Sequence, residues 1–405
     1  MEEFSESTAA ANSRTGKSID YSKIIYPSTE FDEVESSDHG SGEEEDEEED
    51  EENEDIHDDD DYEYGVPVSP MKKATSDHFY FHGQPQDSQE DDCHWCQLRA
   101  FPNAQHAPVT IVNDFDNNVI PPNFRFISSV VYGEGVSPVE DSFRSGCSCG
   151  NDRLCQFRGC SCLGEVVEDG ESDDELEAGS DGKKRVLLSA YYVRGPRMGL
   201  LRDKVLRSLA PIYECHSACT CTLDCVNRVV EHGRTIPLQI FRTRNGRGWG
   251  VRSTVDIQVG QFVDKYVGEI ITAAEADRRR ELSALRQQKD VYLFELDKFY
   301  DPTSIDERLS QPSLFVDGEF MSGPTRFINH SCDPNMKIFV RVGDHADKHI
   351  QDLALFAIKE IKAGTELTFD YLNGQVDLDD AVDPSQINDM TKCYCGSEKC
   401  RGYLW

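Results

Sequence analysis

Nine cysteines fall between residues 147 and 225, in two groups: Cys147, Cys149, Cys155, Cys160 and Cys162, then Cys215, Cys219, Cys221 and Cys225. The spacing is C-x-C-x5-C-x4-C-x-C, then C-x3-C-x-C-x3-C. Structural zinc takes four ligands in a tetrahedron, and here thiolates must supply them because histidines are scarce. Nine thiolates do not divide evenly among separate sites, but they fill a cluster. Three zincs need twelve Zn–S bonds; six terminal thiolates give six and three bridging thiolates give six more. Two mononuclear sites with a spare cysteine is the variant that this count leaves open, and buried thiols without metal is the bland alternative. In either metal reading no ligand position stays open for water, so the metal is structural. Three Zn²⁺ and nine thiolates leave a formal charge of −3, which Lys183, Lys184, Arg185, Arg202 and Arg228 are candidates to offset.

A second group, Cys393, Cys395 and Cys400, has three ligands and needs a fourth. The cysteines still unassigned are Cys93, Cys96 and Cys332. Cys93 and Cys96 form a C-x2-C pair with no second pair to complete it, and are read as packing thiols. Cys332 is then the fourth ligand. It lies in RFINHSCDPN, two residues from His330, where a thiol nucleophile with a histidine base is the other reading. The cysteine count favours a zinc ligand, with the chain end folded back over this loop.

Fifteen cysteines, no signal-peptide pattern and no apolar run of about 18 residues predict an intracellular chain that uses cysteine for metal rather than disulfides, with no membrane partner. The net charge is −36. Residues 1–92 hold 31 acids and 5 bases, and are expected to be disordered. They are a solubilising tail or a contact for a basic protein. A chain of this charge without a basic stripe is a poor DNA-binding protein, so no sequence-specific DNA contact is expected.

The rest divides into a wrapping segment of short strands and loops (93–140), the cysteine module (141–235), a β-rich domain (236–374), an acidic flexible linker (375–390) and a C-terminal zinc segment (391–405). Residues 164–184 read as a charged, mobile loop. Short β-branched and aromatic runs such as LQIFRT, MKIFVRV and DLALFAI make the β-rich domain. One helix stands out: Thr272 and Glu275 form a T-x-x-E capping box ahead of good helix formers.

Six motifs in order carry a resemblance: the nine-cysteine segment, RGWG at Arg247, YVGEI at Tyr266, RFINHSCDPN at Arg326, ELTFDY at Glu366 and CYCGSEKCRGYLW at Cys393. Together they resemble the SET-domain histone lysine methyltransferases with their pre-SET and post-SET modules, over about 141–405. From Cys93 onward the chain is also similar to the Su(var)-class heterochromatin enzymes of filamentous fungi, which methylate lysine-9 of histone H3. The resemblance implies a mainly β SET core (β-clip, pseudoknot-like), a three-zinc pre-SET cluster, one post-SET zinc, S-adenosylmethionine as cofactor, the histone H3 tail as substrate, chromatin-recruiting proteins as partners and a nuclear, chromatin location.

It also implies residue roles. Arg247, Gly248, Trp249 and Gly250 hold the cofactor at a strand end, where glycine lets backbone approach a ligand. Arg326, Phe327, Asn329 and His330 contact it from another side, Tyr292 borders it and Trp405 closes over it. Tyr371 is the first candidate for catalysis, Tyr266 faces it, and Tyr292 and Phe294 line the channel. Phe369 stands where a tyrosine in the family restricts repeated methylation, which implies di- and trimethyl product. Asp297 is placed to attract the basic tail. A catalytically silent SET-fold scaffold is the competing class, and the intact Tyr371, Tyr266, Asn329 and C-terminal cysteines argue against it. A methyltransferase for another histone lysine is the rival within the enzyme reading.

Overall fold

The computed structural model describes residues 93–156, 159–168, 184–208, 210–285, 292–343, 345–372 and 391–404. The acidic segment 1–92, the 375–390 linker and Trp405 lie outside the described residues, so the expectations made for them do too.

Small sheets dominate. Leu238–Arg242 pairs antiparallel with Trp249–Ser253 and parallel with Val109–Val112. A four-stranded sheet runs Leu293–Glu295, Phe315–Asp317, Glu269–Ile271, Val131–Tyr132. Another runs Ile212–Tyr213, Met336–Val342, Asp352–Ala357, Phe262–Tyr266. Asn329–His330 lies parallel to Thr368–Phe369, which lays the NHSC loop beside the TFDY strand. The β-rich reading of 236–373 therefore holds, with strands where the β-branched and aromatic runs stand.

In segment 93–140, Val109–Val112 and Val131–Tyr132 each add to a sheet of later strands, and Arg125–Phe126 pairs with Met321–Ser322. Burial drives this: Val109, Ile111, Phe124 and Phe126 join the largest core cluster beside Leu238, Ile240, Phe327 and Phe369. Two elements differ from the sequence reading. His94–Arg99 is a short helix whose Trp95 and Leu98 are buried, and the packing role of its neighbour Cys93 agrees with its burial. Segment 164–184 is not all loop: Gly164–Glu168 pairs antiparallel with Lys184–Leu188. The flanking Val-Val and Val-Leu-Leu pairs supply strand residues that the charged residues between them concealed.

The helix Ala273–Leu285 starts as expected, with Thr272 Oγ1 accepting from Glu275 N at 3.3 Å. The Glu275 carboxylate accepts instead from Arg278 and Arg279, which hold it down to about 2 against its burial. Arg279 also reaches Asp317 and Glu269, tying the helix to the adjacent sheet.

A buried ion network joins the cysteine module to the β-rich domain. Arg341 contacts Glu214 at 3.0 Å, Glu231 at 2.7 Å and Asp352 at 2.8 Å, with side-chain exposure of 5% for Arg341 and 0% for Glu214. Glu214 also accepts from the Val230 and Glu231 amides and from Tyr191 Oη. Removing one member of such a network strands the others. Arg341→Met is expected to cost about 3–5 kcal/mol, read as the loss in denaturant midpoint at constant zinc; a loss below about 1 kcal/mol would mean that Glu214 is effectively solvated.

Candidate active site

Sulfur–sulfur separations are 3.8 Å for Cys147–Cys155 and Cys147–Cys215, 3.9 Å for Cys160–Cys215 and 3.5 Å for Cys162–Cys219. A disulfide would need about 2.05 Å. A zinc tetrahedron with Zn–S near 2.3 Å has edges of about 3.8 Å. Cys147, Cys149, Cys155 and Cys160 form one four-sulfur group, Cys147, Cys155, Cys215 and Cys221 another, and Cys147, Cys160, Cys162 and Cys215 a third. Shared members suit bridging thiolates. Cys225 is buried in the same cluster. Burial pushes the Cys147 and Cys155 thiols up. Thiols packed this densely would ionise together only with divalent cations among them. His216, which the sequence reading passed over, brings a ring nitrogen close to Cys162 and Cys219.

Cys332, Cys393, Cys395 and Cys400 converge as a fourth group, with Cys332 and Cys393 sulfurs 3.8 Å apart. The elimination that gave Cys332 to the C-terminal triplet agrees with this. His330 is then a partner of the thiolate rather than a base for it. Tyr371 N–H donates to His330 Nδ1 at 3.2 Å, so Nδ1 is the acceptor and Nε2 carries the proton, 3.2 Å from Cys332 Sγ. Burial lowers this histidine to about 4, against the pull of Asp370.

The aromatic residues gather around the end of the TFDY strand. Ring centroids are 4.5 Å apart for Tyr266–Phe294, 6.0 Å for Phe294–Phe369 and 4.8 Å for Phe369–Tyr371. Tyr371 Oη donates to Ile328 C=O at 2.8 Å, and Tyr266 Oη to Tyr292 C=O at 2.9 Å. Both hydroxyl protons are thus committed to backbone, and what remains on each oxygen is acceptor capacity. Burial raises both phenols, so they stay neutral at pH 7 and cannot act as phenolate bases. Tyr292 precedes the strand Leu293–Glu295 rather than lying on it, and its ring stacks 4.0 Å from the Arg326 guanidinium. Phe124 of the wrapping segment lies 5.1 Å from the same guanidinium.

The RGWG loop meets the NHSC loop through Glu366. Its carboxylate accepts from Arg247 and, at 2.8 Å, from Asn329 Nδ2, which also donates to Trp249 C=O at 3.0 Å. Gly248 has φ +77°, open to glycine. At Gly250 the need is different from ligand approach: a Cβ there would stand 2.9 Å from Glu366 Oε1 and 3.0 Å from Thr243 Cγ2. Phe327 is buried, 5.2 Å from Phe124, so its ring serves the core. Arg247 Nε and Arg326 Nε are buried with no hydrogen-bond partner among the described residues. Arg247 otherwise pairs with Glu366 and Arg326 donates to Glu319 C=O, so each guanidinium has one buried N–H left over, a donor that suits a polar cosubstrate such as S-adenosylmethionine.

Beside the cage a cleft of about 360 Å³ is lined by Phe294, Glu295, Asp297, Met336, Asp370 and Tyr371 among others. Glu366, Asp370 and Arg401 are the residues that sequence reasoning quoted inside motifs without giving them work.

The SET domain family matches residues 248–372 and the Pre-SET motif matches 102–228. The H3 lysine-9 specific histone-lysine N-methyltransferase KMT1 of Fusarium mangiferae is 58% identical over 346 residues, 84% of this chain and 100% of the relative. The chain belongs to the SET-domain histone-lysine N-methyltransferases. The H3 lysine-9 specific dim-5 enzyme of Neurospora crassa is likewise 58% identical, over 83% of this chain and 100% of its own. The solved Neurospora DIM-5 structure, described as a histone lysine methyltransferase, superposes with TM-score 0.58 at 55% identity, covering 71% of this chain and 100% of that one. Arabidopsis thaliana SUVH6 in complex with SAM superposes with TM-score 0.53 at 28% identity, covering 84% of this chain and 61% of that one. The Pre-SET match begins at residue 102, ahead of the start at 141 expected from the cysteines. As a SET methyltransferase this chain is a mainly β enzyme.

Proposed function

We propose that this enzyme transfers methyl groups from S-adenosylmethionine to lysine-9 of the histone H3 tail, giving di- and trimethyl-lysine in nuclear chromatin. The target follows from the relatives, both specific for H3 lysine-9. The observation that carries the chemistry is the intact cage of Tyr266, Phe294, Phe369 and Tyr371 around two acceptor hydroxyl oxygens.

When bound, the cosubstrate supplies a methyl on a sulfonium, a good leaving group, so no covalent enzyme intermediate is needed. The chain's residues bind and orient. Arg247, Trp249, Asn329 and His330 hold one end of the cosubstrate, Tyr292 and Arg326 its other side, with Trp405 closing over it. The aromatic channel disfavours the ammonium by desolvation and so supplies the neutral amine. The Tyr371 and Tyr266 oxygens accept from the amine and aim its lone pair in line, where positioning is worth most. The strand Leu293–Glu295 is the outer member of its sheet, which suits an extended tail adding as a further strand. Glu295, Asp297 and Asp370 set acids along its path.

The domain boundaries proposed are 93–140 for the wrapping segment, 141–235 for the pre-SET module, 236–374 for the SET domain and 391–405 for the post-SET segment. Three zincs sit in the nine-cysteine cluster and one in the post-SET site, about four per chain by elemental analysis. Recruitment to chromatin falls to other proteins. Incubation with cofactor and a panel of histone-tail peptides, read by mass, tests the target: lysine-9 peptides should gain two and three methyls, and activity confined to another lysine would overturn it.

Product number should turn on Phe369, which is buried against Tyr371. A hydroxyl at its ring position adds a hydrogen-bond partner for the amine and stops it rotating to accept again. Phe369→Tyr is expected to shift the product to monomethyl-lysine; a variant still making mainly trimethyl-lysine would refute the assignment.

A further inference from the structure

The C-terminal segment 391–404 is fastened to itself before it is fastened to anything else. Cys393 N–H donates to Gly402 C=O at 2.8 Å and Leu404 N–H to Thr391 C=O at 2.8 Å, and Lys392 bridges to Tyr403. It behaves as one small body. It is gripped at Cys332, whose sulfur meets Cys393 at 3.8 Å and accepts from Arg401 N–H at 3.3 Å. A body held through one metal corner can still pivot about it.

A second grip fixes its orientation. The Arg401 guanidinium forks onto Asp370, Nη2 to Oδ1 at 2.6 Å and Nη1 to Oδ2 at 3.0 Å. The two side chains are 12% and 17% exposed, and the geometry is bidentate, the form in which such a pair is strongest. Arg401 in turn pulls the Asp370 carboxyl below its ordinary range against burial. The other ion pair from this segment, Lys399–Asp333, has its lysine 73% exposed, and contributes little.

What Asp370 belongs to gives the pair its meaning. It stands between Phe369 and Tyr371, and its amide neighbour Leu372 N–H donates to Oδ1 at 3.1 Å. Its strand pairs with the NHSC strand, Asn329 with Thr368 and His330 with Phe369. Cys332 leaves the first strand and Asp370 the second, so the C-terminal body spans both. We propose that the Arg401–Asp370 ion pair is the latch that holds this body closed over the active-site strand, making Arg401 a positioning residue for methyl transfer. The proposal rests on the reading above that Tyr371 carries the transfer and that the C-terminal cysteines hold zinc.

A latch sets the fraction of enzyme in the closed, binding-competent form. Lowering that fraction raises the apparent dissociation constant in proportion, while saturating ligand restores closure. Arg401→Met should therefore raise KM for S-adenosylmethionine and for peptide roughly tenfold, equivalent to about 1.4 kcal/mol, with kcat within about twofold and zinc per chain unchanged. Arg401→Lys, which keeps the charge but not the fork, should recover part of the loss. For the wild type, raising salt from about 0.05 to 0.5 M should raise KM, because the pair is not fully shielded from screening; in Arg401→Met most of that salt dependence should vanish. Unchanged KM and salt dependence in Arg401→Met, or a fall in kcat with KM untouched, overturns the latch. Loss of zinc in both Arg401 variants also overturns it, since the residue would then be serving the metal site. Full activity in Tyr371→Phe would instead overturn the reading of the site and leave the latch measurements standing.

Discussion

Tyr371→Phe is expected to lower kcat roughly 100-fold or more, with KM for peptide and cosubstrate changed by less than about threefold. The reason lies in where the hydroxyl proton goes. Tyr371 Oη donates to the Ile328 carbonyl at 2.8 Å, so its proton is committed to backbone while its ring packs 4.8 Å from that of Phe369. Phenylalanine keeps the ring, the packing and the desolvation of the channel, and removes one of the two oxygens proposed to aim the amine. An interaction made chiefly in the transition state is lost as kcat rather than KM. The Ile328 carbonyl also loses its donor, which costs about 1–3 kcal/mol of stability if it stays buried, so steady-state rates belong beside a melting curve of the same preparation. A variant that melts normally and turns over at half the wild-type rate would show that the hydroxyl is not the aiming group. Neutral phenol on both sides also fixes a pH expectation. Burial raises Tyr371 and Tyr266 above the ordinary tyrosine range, so neither should appear as a limb of the rate profile between pH 6 and 9; the lysine amine itself should.

Much of this site was legible in the sequence because its chemistry is local. Cysteine spacing points to metal sites before any fold is known, and the convergence of Cys332 with Cys393, Cys395 and Cys400 followed from counting what remained. Runs such as MKIFVRV and DLALFAI identify strands because β-branched and aromatic side chains suit a buried pleated surface. What was hidden is what depends on partners far away in the chain. The Gly164–Glu168 and Lys184–Leu188 strands are each apolar only in part, and the charged residues between them dominate any window that covers both. His94–Arg99 is too short to show helical periodicity, and becomes a helix because Trp95 and Leu98 find a core shared by Val109, Ile111, Phe124 and Phe126 with residues from Ile236 onward. Glu366 illustrates the limit for function. A glutamate opening a strand reads as solvated, yet it ties Arg247 of one loop to Asn329 of another. No spacing rule connects positions so far apart; only the parallel pairing of Asn329–His330 with Thr368–Phe369 does.

Cys332→Ser is the other large effect expected, and its signature differs from that of a lost nucleophile. Serine cannot supply a thiolate, so the C-terminal group drops to three sulfurs and its metal should be lost while the nine-cysteine cluster keeps its own. Two further contacts weaken with the sulfur: His330 Nε2 at 3.2 Å and Arg401 N–H at 3.3 Å meet a neutral hydroxyl on a shorter bond in place of the thiolate. The NHSC strand then loses hold of the chain end from both directions, and groups that orient a metal site's surroundings are typically worth 10–100-fold. Activity should fall by at least roughly 100-fold, zinc should fall by one per chain, and limited proteolysis should cut ahead of Thr391 faster than in the wild type. A covalent role makes a contrasting forecast: activity abolished, zinc content intact, and an alkylating agent able to inactivate the zinc-loaded wild type at Cys332. The two are separated by elemental analysis on the same protein used for the rate. Stripping the wild type with a chelator mild enough to spare the buried cluster should reproduce the Cys332→Ser rate, and re-addition of zinc should restore the wild type but not the variant, because only the wild type still presents four sulfurs.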